Sequence, residues 1–524
     1  MAHPLRRRGC LFATLIAWYG CFVHAQEPLA VQPIDPPDAA ASPTIVPLPP
    51  TTADPRVDEL QQQIFDLRRE LDELRESERD RDSMEPYEIG KSLGLKASWD
   101  HGLEFESMNK DFRVHVGGRT QLDTSWISAS GNGLLLPSGQ ANGSGTGDAV
   151  DFRRARLRID GTLYETAEWA AEFDFVSTVN SNQGLQPNDP LLRNAINAPA
   201  PTDVWWAFHE LPLVGNLRFG NQKEPLGLEH INSSRFLDFM ERASIHDAYT
   251  VAFNNGFTPG VSIYDSYLDD DRGLWQVGAY KLTSNPYAFD VSDGAYSVDG
   301  RITYLPWYDE AADGRFMCHT AVGVAYRSLE FDRWRIRTRG QIRNGPSALA
   351  PLYTDTGILE GDGQAIVVPE LAVVHGPWHF QTEYAGSWVT GVRRSGVAVT
   401  DSYYSHGGYA ELFYFLTGEH RAYEKKSASF GRVVPFENLN LVRTDRGPII
   451  TRGAWQVGIR LGYIDLRDGA INGGAVRDLT VGVNWFLNPN MKLQMNYFFA
   501  DRAIPPPLSQ GHINGLGFRF AHDF

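Results

Sequence analysis

The chain has 524 residues, 48 lysines and arginines against 64 aspartates and glutamates, and a formal net charge of −16. Nucleic acids are bound through basic surfaces, so this balance argues against them as partners. With 42% apolar residues, 12% aromatics and 50 glycines, wholesale disorder is excluded, and the chain reads as a turn-rich β protein longer than one ordinary compact domain.

Arg6, Arg7 and Arg8 precede a mostly apolar run from Leu11 to Val23, and Val23-His24-Ala25 offers a small-residue cleavage site before Gln26. Residues 1–25 therefore read as a signal peptide of an exported protein. The run is short for a membrane anchor, and Trp18-Tyr19-Gly20 before Cys21 lacks the leucine of a lipoprotein signal. Later in the chain no run of 18 apolar residues occurs, so no helix is expected to span a bilayer. Cys10 and Cys21 lie in the leader, which leaves Cys318 alone and no disulfide in the mature chain. Residues 26–55, rich in Pro and Ala, read as an extended linker.

The period then changes. Val57, Leu60, Ile64, Leu67, Leu71 and Leu74 follow a 3-4-3-4-3 spacing among charged residues and glutamines. This predicts a short periplasmic α-helical coiled coil over residues 56–82. Its apolar stripe is only two positions wide per heptad, which favours self-association over packing as a lone helix. Val57 and Ile64 set against Leu60 and Leu67 lean towards two strands, and Leu71 breaks that pattern.

From about residue 100 the period becomes two. Phe112, Val114, Val116, Leu122 and Trp126 alternate with Arg113, His115, Arg119, Gln121 and Asp123 over fifteen residues. A soluble strand averages about six residues, whereas a tilted membrane strand needs about ten. In Asp151–Asp160, Arg154, Arg156 and Arg158 share one face, with Ala155, Leu157 and Ile159 on the other. In Phe331–Arg343, Arg333, Arg335, Arg337 and Arg339 oppose Trp334, Ile336 and Thr338. Same-face neighbours sit about 7 Å apart, so each set reads as an arginine ladder on a polar, lumen-facing side. Two such charges repel by only about 0.6 kcal/mol in water, but by several-fold more at lower dielectric. Bound anions or nearby carboxylates would relieve that cost, and the arginine fork suits phosphate. Alternation returns in Trp455–Tyr463, Leu479–Trp485 and Met491–Phe499, and the chain ends on Leu516, Phe518, Phe520, His522 and Phe524. Residues 83–524 are thus expected to form an all-β, transmembrane antiparallel β-barrel of about sixteen strands, a size that leaves an aqueous channel.

Several ordered motifs resemble the phosphate-selective outer-membrane porins of the O and P type. They are Asp151-Phe152-Arg153-Arg154-Ala155-Arg156-Leu157 with Gly161, the run Phe219-Gly220-Asn221-Gln222-Lys223-Glu224-Pro225-Leu226-Gly227-Leu228-Glu229, and Phe239-Met240-Glu241-Arg242. Leu416-Thr417-Gly418-Glu419 with Tyr423, Gly453-Ala454-Trp455 and Asn484-Trp485-Phe486-Leu487-Asn488-Pro489-Asn490 continue the series. The resemblance implies a homotrimer of sixteen-stranded barrels, an inward-folded loop for which residues 230–250 are the candidate, and an arginine-lined anion path. It also suggests Lys223, Arg235 and Arg242 as constriction residues. Parity from Leu217 and Phe219 places Lys223 on the lipid side unless the chain bends near Gly220 or the strand ends there. Asp238, Glu241 and Asp247 stand close by in sequence and could neutralise the site.

The functional expectation is an outer-membrane porin whose water-filled, anion-selective channel takes up phosphate or other small anions passively. The alternative is a general or carbohydrate-type diffusion porin, with the coiled coil serving oligomerisation or cell-wall tethering. No HExxH or G-x-S-x-G motif occurs, the glycine-rich stretch 131–147 lacks a GK[ST] ending, and the fourteen histidines are scattered. Neither catalysis nor a cofactor or metal is expected. The partners expected are small inorganic anions, outer-membrane lipid and further copies of the chain.

Overall fold

The alternation that begins at Phe112 becomes the first wall strand of a closed ring. The structure is a computed structural model; it describes residues 94–524 apart from 131–146, 165, 179–198, 251–255, 283–294, 330–332, 344–351, 445–446 and 504–510. Of the preceding chain it describes only Leu67–Arg69 and Leu71, which are helical. The signal peptide, the linker and the rest of the expected coiled coil lie outside the described residues.

The wall strands are β1 (Phe112–Ala129), β2 (Gly147–Leu163), β3 (Ala167–Thr178), β4 (Pro199–Leu211), β5 (Gly215–Gln222), β6 (Thr258–Tyr267), β7 (Gly273–Lys281) and β8 (Tyr296–Tyr308). They continue with β9 (Phe316–Ser328), β10 (Gly363–His375), β11 (Trp378–Arg394), β12 (Val397–Phe415), β13 (Ala454–Asp468), β14 (Ile471–Asn488), β15 (Met491–Ala503) and β16 (Gly511–Asp523). Each pairs antiparallel with its chain neighbours, and β16 returns to β1 with Phe518 opposite Thr124 and Phe520 opposite Leu122. Sixteen strands therefore close, and no edge is left to hydrogen-bond in lipid. The last residue locks the seam: Gly118 N–H donates to the Phe524 carbonyl (2.6 Å) and Phe524 N–H to that of Gly118 (3.2 Å). A hairpin, Leu95–Trp99 with Leu103–Ser107, precedes the ring and pairs with the start of β1.

Alternation sorts the two faces of the wall as expected. On β14 and β15, Val481 stands opposite Tyr497 and Val483 opposite Met495 on the outside. On the inside, Asn484 Nδ2 donates to Gln456 (2.7 Å) and Gln494 Nε2 to Asn484 (3.1 Å). Trp455 and Trp485 stack at 4.9 Å near one rim, as an interfacial girdle requires.

Three connections are long. Residues 223–257 join β5 to β6, residues 329–362 join β9 to β10, and residues 416–453 join β12 to β13. The first carries two short helices, α1 (Leu228–Ile231) and α2 (Ser244–Tyr249), whose described residues are buried almost throughout. It folds into the barrel and docks on the β11–β16 side. Glu383 of β11 caps α1 by accepting from the N–H groups of Leu228 (2.6 Å) and Glu229 (3.0 Å), which satisfies the orphan donors of a helix start. Arg460 of β13 pairs with Glu229 and with Glu411 (2.7 Å), Lys492 of β15 donates to the Leu237 carbonyl (2.8 Å), and Tyr249 Oη bonds Ser405 (3.0 Å). From the other end, residues 416–433 reach the same loop: Arg421 pairs with Asp238 (3.2 Å), and Phe430 N–H donates to Asn232 (2.8 Å).

Candidate functional site

Because the loop is pinned to the β11–β16 side, space remains along β1–β7. A cavity of about 730 Å³ lies there, and its lining carries thirteen arginines and lysines against six aspartates and glutamates. The charge of the lining is thus opposite in sign to that of the whole chain.

Strand β2 supplies the core of this surface. Arg154, Arg156 and Arg158 follow one another on its inner face, in steps of about 7 Å. A β-bulge adds a fourth residue: Gln121 faces Arg154 and Leu122 faces Phe152, so Arg153 is unpaired in the ladder and also turns inward. Directly across the seam, Arg156 faces Arg119. Like charges in that position repel, and Glu172 of β3 resolves the conflict. It is fully buried, accepts from Arg119 (2.6 and 2.9 Å), Arg156 (3.0 Å) and Thr202 (2.7 Å), and stands 3.8 Å from Arg235. Asp174 takes a further bond from Arg156 (2.9 Å), while Arg158 is held between Asp160 (2.7 Å) and Asp203 (3.2 Å).

The loop brings its own carboxylates to the same arginines. Glu241 accepts from Arg153 (2.6 and 3.0 Å) and Arg519 (3.1 Å), with Arg343 at 3.8 Å and Arg154 at 3.9 Å. Asp247 accepts from the backbone (2.7 Å) and side chain (3.0 Å) of Arg339, and lies 3.3 Å from Arg343. Burial alone would raise the Glu241 and Asp247 pKa values, but the surrounding arginines outweigh it and hold both well below the usual carboxylate range. A carboxyl depressed in the folded state contributes stability that is present above its unfolded pKa, about 4.3 for glutamate, and lost as pH falls through its folded value. Conductance in planar bilayers is therefore expected to stay flat from about pH 7 to pH 5 and to change only in stronger acid. A step between pH 7 and pH 5 would assign control of conductance to a group other than these two carboxylates.

The constriction candidates occupy three different situations. Gly220 has φ +128°, and a Cβ there would lie 2.4 Å from the Val204 carbonyl, so this bend is open to glycine alone. Together with the end of β5 at Gln222 it turns Lys223 to the cavity. Its ammonium donates to the carbonyls of His230 (2.8 Å), Ile231 (2.9 Å) and Asn232 (2.9 Å). These three bonds use all its donors, so Lys223 caps the end of α1 and offers the cavity charge without a hydrogen bond. Arg242 joins it there, with Nε donating to the Glu229 carbonyl (2.7 Å) and Nη2 to that of Asn232 (2.8 Å). Arg235 differs, because its Nε and Nη2 have no hydrogen-bond partner among the described residues.

The second ladder requires correction. Phe331–Arg343 is not one wall strand; its described part forms two short segments inside the β9–β10 connection. Arg333–Trp334 pairs with Leu359–Glu360, and Arg337–Arg339 with Leu352–Asp355. Arg333 is exposed, and Arg335 is paired with Asp355 at 2.7 Å. Of the four, only Arg339 borders the cavity, joined by Arg343. The apolar alternation is real, but its face packs on the inner wall, with Trp334 against Tyr403 at 5.1 Å, and not on lipid. Sequence reasoning missed Arg113, Arg119, Arg153 and Arg218 as lining residues. Parity with Leu217 and Phe219 outside was signal enough for Arg218.

Glu229, His246 and Glu383 come close enough to resemble a metal centre. Their oxygens are already committed to Arg460, to the backbone N–H groups of Leu228, Glu229 and Ala243, and to Tyr409. The cluster is a latch between loop and wall.

Residues 136–503 match the family described as phosphate-selective porin O and P. The chain is 27% identical over 429 residues to Porin O of Pseudomonas aeruginosa, covering 76% of this chain and 85% of that one. It is 26% identical over 457 residues to an uncharacterized protein of Caulobacter vibrioides, covering 83% and 78%. An anion-selective porin from Comamonas acidovorans superposes with a TM-score of 0.43 at 11% identity, over 79% of this chain and all of that one. With a closed sixteen-stranded wall, a loop folded into its lumen and a family match over most of its length, the chain belongs to the phosphate-selective porin O and P family and forms an outer-membrane porin channel.

Proposed function

We propose that this porin is anion-selective and passes phosphate or related small oxyanions through the arginine-lined cavity, as a homotrimer exported by its N-terminal signal peptide. The observation that carries this reading is the sign of the lining, thirteen cationic side chains against six acidic ones in a chain of net charge −16. Rings and rows of arginine select anions in pores, and the low-dielectric wall strengthens each contact. The buried carboxylates fix the arginines in place but are outnumbered by them. Arg235, with donors unspent, is the side chain best placed to bind an oxyanion directly. Phe239, Phe413 and Phe498 are buried, and Phe236, Phe257 and Tyr264 are the aromatics of the cavity lining, set among thirteen cationic side chains, which favours an anion path over the sugar-stacking surface of a carbohydrate porin.

The test is the reversal potential of the purified protein in planar bilayers under a KCl gradient, repeated with phosphate added. Anion selectivity with chloride current blocked by phosphate, and block weakened about tenfold in Arg235→Ala, is the expected result. Weak or cation selectivity would overturn the proposal and direct attention to uncharged solutes.

A further inference from the structure

Resting on the anion reading above, we infer that His230 is a specificity-determining residue that selects oxyanions bearing a hydroxyl, such as hydrogen phosphate, over fully deprotonated ones such as sulfate.

His230 sits in α1 of the inward loop and lines the cavity, yet it is 1% exposed and neither ring nitrogen has a hydrogen-bond partner among the described residues. Buried polar atoms are nearly always paired, so two orphans in one ring at the wall of a polar cavity mark a place where a guest completes the bonding. The backbone carbonyl of the same residue is engaged, accepting from Lys223 (2.8 Å) and Arg242 (3.5 Å). The ring is therefore held at a set depth while its nitrogens stay uncommitted.

The charges facing it are mostly of one sign. Burial, then Lys223, Arg242, His246 and Arg327, disfavour protonation and push its pKa well below the usual histidine value. A neutral imidazole offers one donor and one acceptor. Arginine and lysine only donate, and three of the carboxylates lining the cavity are already paired: Glu241 with Arg153, Asp247 with Arg339 and Asp160 with Arg158. A carboxylate left free would also repel an anion, whereas imidazole accepts a P–OH proton without that penalty. Sulfate has no proton to give and would leave the acceptor unpaired. Sites built to bond a hydroxyl discriminate strongly against analogues lacking it.

The experiment measures half-block of chloride current by phosphate, sulfate and monofluorophosphate near pH 7.5 in the full-length protein. Monofluorophosphate matches the charge and size of hydrogen phosphate but has no hydroxyl. Phosphate is expected to block at about tenfold lower concentration than either of the other two. His230→Leu should abolish that preference by weakening phosphate block alone, and His230→Gln, which keeps a donor and an acceptor, should restore most of it. Resistance of the inward loop to proteolysis in both variants, equal to that of the unaltered protein, reports that the loop is still docked. An undiminished preference in His230→Leu, or equal block by phosphate and monofluorophosphate in the unaltered protein, would overturn the assignment while leaving anion selectivity intact. If no anion blocks the unaltered channel, the anion reading fails and this inference with it.

Discussion

Glu241→Gln is expected to loosen the inward loop and raise single-channel conductance. The carboxylate is 4% exposed and shared among Arg153, Arg154, Arg343 and Arg519. Glutamine keeps the shape and part of the hydrogen bonding but removes the carboxylate charge that these four arginines share among the described residues. Breaking a buried pair by removing one partner costs about 3–5 kcal/mol, because the remaining charge is left uncompensated. Here the uncompensated charges belong to the wall and to the β9–β10 connection, so the strain is relieved by moving the loop. Larger and noisier currents, together with faster proteolysis within residues 223–257, are the expected signature. Conductance equal to that of the unaltered protein would show that the Arg460, Lys492 and Glu383 contacts suffice to hold the loop.

Arg158→Glu is expected to cut anion selectivity and move the reversal potential towards zero or past it. Arg158 is half-buried between Asp160 and Asp203, at the end of the arginine series. The substitution changes local charge by two units and places three carboxylates together. At 7 Å and an effective dielectric near 20, each unit charge is worth about 2.4 kcal/mol, reduced by salt with a screening length of about 10 Å at 0.1 M. The shift should therefore be larger in 0.1 M than in 1 M KCl. A reversal potential insensitive to the substitution at both salt concentrations would place ion flow elsewhere in the lumen.

The residues behind these predictions differ in how far the sequence revealed them. Arg154, Arg156 and Arg158 could be assigned to the lumen because side-chain direction in a strand alternates strictly and Leu157 and Ile159 need lipid. Arg153 could not, since a bulge is defined by the register of the partner strand, which lies more than thirty residues away at Gln121 and Leu122. The set from Arg333 to Arg339 misled for a related reason: alternation reports that one face is apolar, and lipid and the inner wall of a barrel satisfy it equally. Lys223 turned on one backbone angle at Gly220, which side-chain parity does not encode.

By itself, then, the sequence determined the membrane barrel, its family motifs and the lumen face of β2, because period two and strand length are local properties that lipid enforces on every wall strand. Only the tertiary structure decided which arginines meet in one cavity, that Lys223 commits its ammonium and Arg242 its Nε and Nη2 to backbone carbonyls of the inward loop, and that the His230 ring nitrogens have no hydrogen-bond partner among the described residues. Those outcomes depend on where the inward loop docks. Its position follows from contacts between residues as far apart as Glu229 and Arg460 or Glu241 and Arg519, and no local pattern in the chain records such pairings.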